Sequence, residues 1–254
     1  MSTVVSVLTT KDGQGSTSLA LSLAWAAAEG RRVMAVDADM SGTGNLADLI
    51  ALDFGSRGIG NLFGTMAISG LLLEQQAVTV RGRPRLRVVP GLQGFCGPGV
   101  ADLLPRLAPA LRSLPEELVI LDLGAALAHP HQESPRRTAQ VVCDVSHRVL
   151  VVVQDSPARL VKSIQILQAA QLPQAELIVY ETRSGALREQ IPRAIERHLP
   201  GHRVSAVLPW DERRAIRAED AAVPMDAGGL LRSLRLLEPP SPAVRVVSVR
   251  EEAR

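Results

Sequence analysis

The sequence predicts an α/β protein with a mostly parallel, doubly wound sheet and helices on both faces. Short apolar segments alternate with longer helical patterns along the 254-residue chain, as the strands and crossover helices of a parallel sheet do. The apolar segments are continuous runs, which is typical of strands covered on both faces. Hydrophobic residues make up 46% of the chain, enough to bury a sizeable core.

The apolar runs predict seven strands: Val4–Leu8, Val33–Val36, Leu86–Val89, Leu118–Leu121, Val149–Val153, Leu177–Tyr180 and Val204–Leu208. Between and after them, Ala- and Leu-rich or amphipathic patterns predict helices. These predicted helices are Ser18–Glu29, Val100–Leu114, Pro157–Ala170, Gly185–His198 and Glu212–Ala221. No internal repeat or shift in composition marks a boundary, so residues 1–238 are expected to form one domain.

The last residues, 239–254, have a different composition and are expected to form a proline-rich tail. Pro239, Pro240 and Pro242 indicate a linker. Val244–Arg250 alternates enough to form a strand or a docking segment, and a loosely packed terminus is the alternative.

Composition excludes several classes of function. A formal net charge of +2 argues against a dedicated polyanion binder, although a pI of about 8.8 leaves room for a local basic patch. Aromatic residues make up only 2%, which disfavours a base-stacking platform. Two cysteines cannot form a disulfide framework, and neither an export signal nor an apolar run of about 20 residues is recognisable. A cytoplasmic protein is therefore expected.

The most informative segment is the turn between the first strand and the first helix, Thr9–Ser18 (TTKDGQGSTS). Gly13 and Gly15 permit positive φ angles and a close approach of phosphate to the backbone. The helix that follows presents free amides and a partial positive charge to an anion. This arrangement is common in α/β proteins, so the turn alone leaves a phosphate site and a plain connection equally open.

This segment resembles the deviant phosphate loop of the ParA/MinD family of P-loop ATPases, whose pattern is Lys-Gly-Gly-x-Gly-Lys-Thr. Lys11 matches the signature lysine, Gly13 and Gly15 match two glycines, and Thr17 matches the magnesium-binding hydroxyl. Other motifs of the family follow in order over about residues 3–237. They are an Asp-x-Asp at Asp37–Asp39, an aspartate closing a Walker B-like strand at Asp122, and an adenine-side loop at Val207–Asp211 followed by Ala222–Pro224.

The resemblance implies a P-loop NTPase-like fold and a site for Mg-ATP or Mg-ADP. It implies catalytic roles for Asp39 and Lys11, with Lys11 reaching the nucleotide of a second subunit, and metal ligation by Thr17, Asp37 and Asp122. The nucleotide-binding residues that it implies are Lys11, Gly13, Gln14, Gly15, Ser16, Thr17, Ser18, Pro209 and Asp211.

The loop also departs from the family pattern. The main phosphate lysine is replaced by Ser16, and a loop glycine is replaced by Asp12, which adds a negative charge beside the expected triphosphate. The strand that usually ends in an adenine-reading asparagine ends in Tyr180-Glu181-Thr182, and the segment after Asp122 lacks the usual proline. These departures predict weak nucleotide binding or none, and little or no turnover.

The sequence therefore predicts a degenerate ParA/MinD-like scaffold or positioning factor, with TadZ/CpaE-type pilus-assembly proteins as the nearest guess. A homodimer and a protein partner from a larger assembly are expected. A working ATPase switch that uses Lys11, Thr17, Asp39 and Asp122 is the first alternative.

A partitioning protein that binds DNA nonspecifically is the second alternative. Two basic clusters, Arg81–Arg87 and the group Arg213, Arg214 and Arg217, motivate it, although acidic neighbours favour an ion-paired face for the second cluster. Leu230–Leu237 is a basic amphipathic stretch; docking on the domain's own core is the default expectation, and membrane contact is the alternative.

Overall fold

A computed structural model describes residues 2–40, 46–92, 100–128, 134–172, 175–181, 190–208, 228–234 and 236. Its eight strands are β1 (Thr3–Thr9), β2 (Val33–Asp37), β3 (Val78–Val80), β4 (Arg83–Val89), β5 (Leu118–Asp122), β6 (Arg148–Gln154), β7 (Glu176–Tyr180) and β8 (Arg203–Leu208). Its helices are α1 (Ser16–Ala27), α2 (Gly70–Gln76), α3 (Val100–Ser113), α4 (Pro135–Val145), α5 (Pro157–Ala170), α6 (Gln190–His198) and α7 (Gly228–Ser233). Two short 3₁₀ helices, Asp48–Ile50 and Ile59–Leu62, precede α2.

The strands form one sheet in the order β3-β4-β2-β5-β1-β6-β7-β8. Every pairing is parallel except β3 with β4, which is antiparallel. The strand that carries the glycine loop, β1, lies in the middle of the sheet between β5 and β6. From β1 the chain passes to β2 and on to β3 and β4 at one edge, returns to β5 beside β1, and then continues through β6, β7 and β8 to the other edge. Ligands of such sheets bind where the strand order reverses in this way.

Two apolar layers cover the sheet, as the continuous apolar strands predict. Alternate residues of β1, such as Val4 and Val5, belong to opposite layers. Helices α1 and α7 pack on one face, and α2–α6 pack on the other. No described helix is long and apolar enough to cross a bilayer. The predicted fold class is confirmed.

The leucines of the basic amphipathic stretch are largely buried. Leu230, Leu231, Leu234 and Leu236 pack into the layer formed by α1 and the sheet, which agrees with docking on the core. The carbonyl of Leu236 accepts a hydrogen bond from Arg31, and the carbonyl of Leu234 accepts one from Arg148. Leu237 and the tail lie outside the described residues.

The first basic cluster is engaged within the fold. Arg83 lies 4.9 Å from the centre of the Trp25 ring and forms an ion pair with Glu29. Arg87 forms ion pairs with Glu74 and with the buried Glu116. These contacts favour a structural role for Arg83 and Arg87. The second cluster lies outside the described residues.

Candidate functional site

The carboxyl ends of β1, β2 and β5 bring three separate sequence segments together. In the parallel register, Asp37 on β2 is the direct partner of Asp122 on β5, and β1 pairs on the other side of β5. A cleft of about 480 Å³ opens above these ends and is called the phosphate-loop cleft below. Its described lining is Thr9, Asp12, Gly13, Gly15, Ser16, Thr17, Ser18, Asp39, Leu49, Gly124 and Ala125.

The loop between β1 and α1 has the backbone shape that an anion cradle needs. Gly13 has a φ of 72° and Gly15 a φ of 91°, and both values favour glycine. Gly15 caps α1, so the helix begins at Ser16, two residues earlier than the sequence predicts. The first turn of α1 holds no acidic residue, which leaves the positive end of the helix open toward the cleft.

Side chains from the sheet hold the loop in place. The Thr9 hydroxyl donates a hydrogen bond to the Lys11 carbonyl at 2.8 Å. The Gln154 amide, at the end of β6, donates a longer one to the Gly13 carbonyl at 3.4 Å. The Tyr180 ring, at the end of β7, lies beside Gly15, and burial raises the pKa of its phenol. These contacts from β1, β6 and β7 support the loop.

Gly124 forms the wall of the cleft that faces Asp39. Its carbonyl accepts a hydrogen bond from the Thr9 amide at 2.8 Å, which ties the end of β5 to the start of the loop. A Cβ atom at position 124 would lie only 2.4 Å from Cγ of Asp39. This close approach, together with a φ of 52°, explains why the position holds glycine.

Asp122 is a fully buried carboxylate beneath the first turn of α1. Burial raises its pKa to about 6, and the negative charge of Asp39 adds to the rise. The hydroxyl groups of Thr17 and Ser16 and the Gly124 amide lower the pKa in part. Oδ1 accepts the Gly124 amide at 3.1 Å, whereas Oδ2 has no well-aligned hydrogen bond among the described residues. An enclosed carboxylate oxygen next to a threonine hydroxyl fits a hard cation such as Mg²⁺.

Asp37 has a different environment, although the resemblance implies a similar role. Its carboxylate accepts hydrogen bonds from the backbone amides of Leu46 and Asp39, and Gly91 packs directly against it. Burial and the nearby charge of Asp122 raise its pKa well above the ordinary value. Asp37 is not among the described residues that line the cleft, whereas Asp39 is. This geometry favours a structural role for Asp37 in shaping the segment after β2.

We expect Asp122→Asn to stabilise the free protein above about pH 6. The pKa of Asp122 is raised from 3.8 to about 6, so the folded chain binds more protons than the unfolded chain between these values. Stability from this group is therefore present at low pH and is lost as the pH rises through that window. A rise from 3.8 to about 6 corresponds to a loss of at most about 3 kcal/mol in the free energy of unfolding when Asp122 ionises. Asparagine does not ionise, so the variant avoids this loss.

Urea unfolding at pH 4, 5, 6 and 7.5 measures this effect. Asparagine keeps an oxygen for the Gly124 amide, so the variant is close to isosteric. Asp53→Asn, at an exposed carboxylate whose oxygen accepts the Gly55 amide, is the matched control and should leave the pH profile unchanged. A variant that follows the same pH profile as the original chain would show that Asp122 is not responsible.

The described lining of the phosphate-loop cleft contains no basic side chain and two acidic ones, Asp12 and Asp39. Ser16 is 6% exposed, and its hydroxyl interacts with the Asp122 carboxylate. Lys11 is exposed and lines a separate recess on the other side of the loop, next to α5. Gln14 is buried and lines the same recess. The structure thus brings Ser16, Thr17 and Ser18 to the cleft, but neither Lys11 nor Gln14.

Pro209 and Asp211, the expected adenine-side residues, lie outside the described residues, and so does Thr182. The described residues contain no group of three His, Cys, Asp or Glu side chains arranged as a metal site. Mg²⁺ in nucleotide sites usually keeps several waters and takes only one or two protein ligands, so such a group is not required for a magnesium site on Thr17 and Asp122, which stays a prediction.

Sequence reasoning missed Gln154 and Gly124 as parts of the site. Both lie at or just after the carboxyl end of a predicted strand that neighbours β1. Because the carboxyl ends of parallel strands meet at one edge of the sheet, their position at strand ends could have indicated that both residues lie near the glycine loop.

The sequence matches no protein-family model and no functionally curated protein. Solved structures match it over nearly their full length. The ParA family ATPase from Chlorobium tepidum TLS has a TM-score of 0.66 at 17% identity, covering 95% of each chain. The MinC:MinD cell division complex of Aquifex aeolicus has a TM-score of 0.69 at 15% identity, covering 96% of this chain and 99% of the other. The septum site-determining protein MinD from Pyrococcus horikoshii OT3, complexed with Mg-ADP, has a TM-score of 0.66 at 17% identity, covering 94% and 96%. The chain has the fold of ParA and MinD ATPases.

Proposed function

We propose that this chain is a ParA/MinD-like nucleotide-site protein that acts as a scaffold or spatial-positioning factor for a cellular assembly. The assembly would be of the pilus, secretion, flagellar, division or chromosome kind, and a TadZ/CpaE-like role in pilus assembly is the nearest guess. ATPase activity is weak or absent. Residues 1–238 form the working domain, and residues 239–254 form a tail.

The observation that carries this proposal is the charge of the phosphate-loop cleft. A triphosphate brings about four negative charges, and such ligands are normally met by cations. Here the described lining offers backbone amides, hydroxyl groups and two carboxylates. The Ser16 hydroxyl already interacts with the Asp122 carboxylate, and if it turned to phosphate it would donate one neutral hydrogen bond, worth about half of a charge-assisted one. Backbone amides can still attract phosphate, so the cleft supports weak binding without efficient turnover.

The residues expected to hold the metal match the family pattern better than the residues expected to hold the phosphates. Thr17 and Asp122 would hold Mg²⁺, with Asp39 at the edge of the cleft in position to orient a bound water. When bound, Mg²⁺ supplies positive charge that offsets part of the charge on the phosphate oxygens. The Pyrococcus horikoshii structure contains Mg-ADP, which supports Mg-ADP or Mg-ATP as the ligand of this cleft if it takes one.

A protein partner and a homodimer are part of the proposal. The Aquifex aeolicus structure is a complex of MinD with a second protein, which supports a role for this fold as a docking platform. Lys11 is exposed on the loop, and the proposal keeps for it the contact with a second copy that the resemblance implies. A platform needs a stable fold more than it needs turnover, and the loop is already held by Thr9, Gln154 and Tyr180.

A working ATPase switch is the second candidate, because the buried Asp122 carboxylate beside the Thr17 hydroxyl retains a place for the metal. Isothermal titration of the full chain with Mg-ATP, together with a phosphate-release assay, separates the two. The scaffold proposal expects a dissociation constant above about 100 μM and turnover at background. Micromolar binding with turnover of about 1 per minute or faster would establish the ATPase instead.

A further inference from the structure

The outer side of the phosphate loop borders a second, smaller space. Thr10, Lys11 and Gln14 of the loop face the first turns of α5 across a recess of about 160 Å³, called the loop–α5 recess below. The α5 residues that line it are Ala158, Arg159, Lys162 and Ser163. No described residue lines both this recess and the phosphate-loop cleft.

The floor of the loop–α5 recess is buried and polar. Thr10, Gln14 and Ser163 are each at most 2% exposed. The Thr10 hydroxyl donates to Oε1 of Gln14 at 3.3 Å and lies 2.6 Å from the Ser163 hydroxyl, which then donates to Thr10. These hydrogen bonds join the three buried side chains and give the recess a polar floor between the loop and α5.

Three cations surround this floor. Lys11, Arg159 and Lys162 are exposed, and none of them forms an ion pair with another described residue. Positive charges that share one small recess repel each other, and a bound anion would remove that repulsion. By contrast, Arg83, Arg87 and Arg148 all have carboxylate partners. Lys11, Arg159 and Lys162 thus line one small recess, and none of them has a carboxylate partner among the described residues.

We propose that the loop–α5 recess binds a compact oxyanion, namely the side-chain carboxylate of an acidic segment on a protein partner. A recess of about 160 Å³ is smaller than the roughly 300 Å³ at which ligand pockets begin, so a whole nucleotide does not fit. Val161, which precedes Lys162 on α5, does not line the recess but is 56% exposed and offers a nearby apolar side chain to a partner protein. The proposal goes beyond the nucleotide site and does not require that the phosphate-loop cleft be empty.

Fluorescence anisotropy with a labelled hexaglutamate peptide and the full chain at 50 mM salt tests the proposal. We expect saturable binding that inorganic phosphate displaces and that a hexaglutamine peptide does not reproduce. Lys162→Glu should weaken binding at least tenfold, because it removes one charge-assisted hydrogen bond and adds a repulsive charge. Arg193→Glu, which makes the same charge change at an exposed position on α6, should change the affinity less than twofold.

Several results would overturn the proposal. Equal losses in Lys162→Glu and Arg193→Glu would show that only net charge matters. Binding of phosphate without binding of the peptide would make the recess a site for a free anion, and stronger binding of a random DNA duplex would point to nucleic acid. Lys162→Gln and a circular dichroism spectrum guard against misfolding of the charge-reversed variant. Mg-ATP titration of Lys162→Glu tests the cleft separately, so failure of one proposal does not decide the other.

Discussion

Replacing Ser16 with lysine is expected to strengthen Mg-ATP binding by about 10- to 100-fold. Ser16 is the first residue of α1 and lines the phosphate-loop cleft, so a longer side chain at this position extends into the space where phosphate would lie. A charge-assisted hydrogen bond contributes about 1.5–3 kcal/mol, and each 1.4 kcal/mol is a factor of ten in affinity. Turnover should also rise, because the ammonium group would stabilise charge that develops in the transition state.

Isothermal titration with Mg-ATP and a phosphate-release assay, applied to Ser16→Lys and to the original chain, measure the changes in affinity and in turnover. Thr79→Lys, at an exposed position of β3 far from the cleft, adds the same charge and should leave both unchanged. If the original chain already binds as tightly as Ser16→Lys and hydrolyses ATP as fast, the missing cation is not what limits the site, and the scaffold proposal fails.

Gly124→Ala is expected to lower the free energy of unfolding by about 2–4 kcal/mol. The added methyl group would lie 2.4 Å from Cγ of Asp39, a distance that forces the backbone or the aspartate to move. Alanine would also adopt a φ of 52°, a conformation that costs a non-glycine residue about 1–2 kcal/mol. The hydrogen bond from the Thr9 amide to the Gly124 carbonyl transmits the shift to the start of the phosphate loop.

Gly82→Ala provides the comparison, since Gly82 has a φ of 79° but no atom within 4 Å of the Cβ position. This variant should lose only about 1 kcal/mol, which isolates the backbone contribution. Urea unfolding of both variants measures the difference. If both variants lose the same free energy of unfolding, the clash with Asp39 at position 124 is relieved by small shifts that cost little.

The central strands could be predicted from the sequence because both faces of the sheet are buried. Segments such as LVIL at Leu118–Leu121 must be apolar on every side, and this leaves an unambiguous pattern. Strand β3 was missed because it has three residues at an edge of the sheet, where burial imposes no pattern. Helix α4 was missed because its sequence, PRRTAQVVCDV, combines a charged start with β-branched residues and has weak helix propensity. Packing against the neighbouring helices and the sheet fixes it instead.

The sequence predicts the site residues that lie at the carboxyl ends of strands. Asp39 and Asp122 could be placed near the glycine loop because their strands run parallel to β1. The surroundings of Asp37 depend on its contacts with the backbone amides of Leu46 and Asp39. The position of Lys11 depends on the φ angles of the loop, such as those of Gly13 and Gly15. Such contacts leave no periodic pattern in a sequence. Ser163 and Lys162 belong to the recess through the packing of α5, about 150 residues along the chain from Thr10.

The β3 edge of the sheet is poorly suited to edge-to-edge strand pairing between copies of the chain. Strand β3 is only three residues long, its register shifts between Thr79 and Val80, and β4 beside it carries Arg83, Arg85 and Arg87. The short length and the irregular ladder of β3 each hinder another strand from adding to this edge. Open-ended aggregation is thereby discouraged on this side of the sheet, a property that the proposed positioning role would require of a protein concentrated at one place.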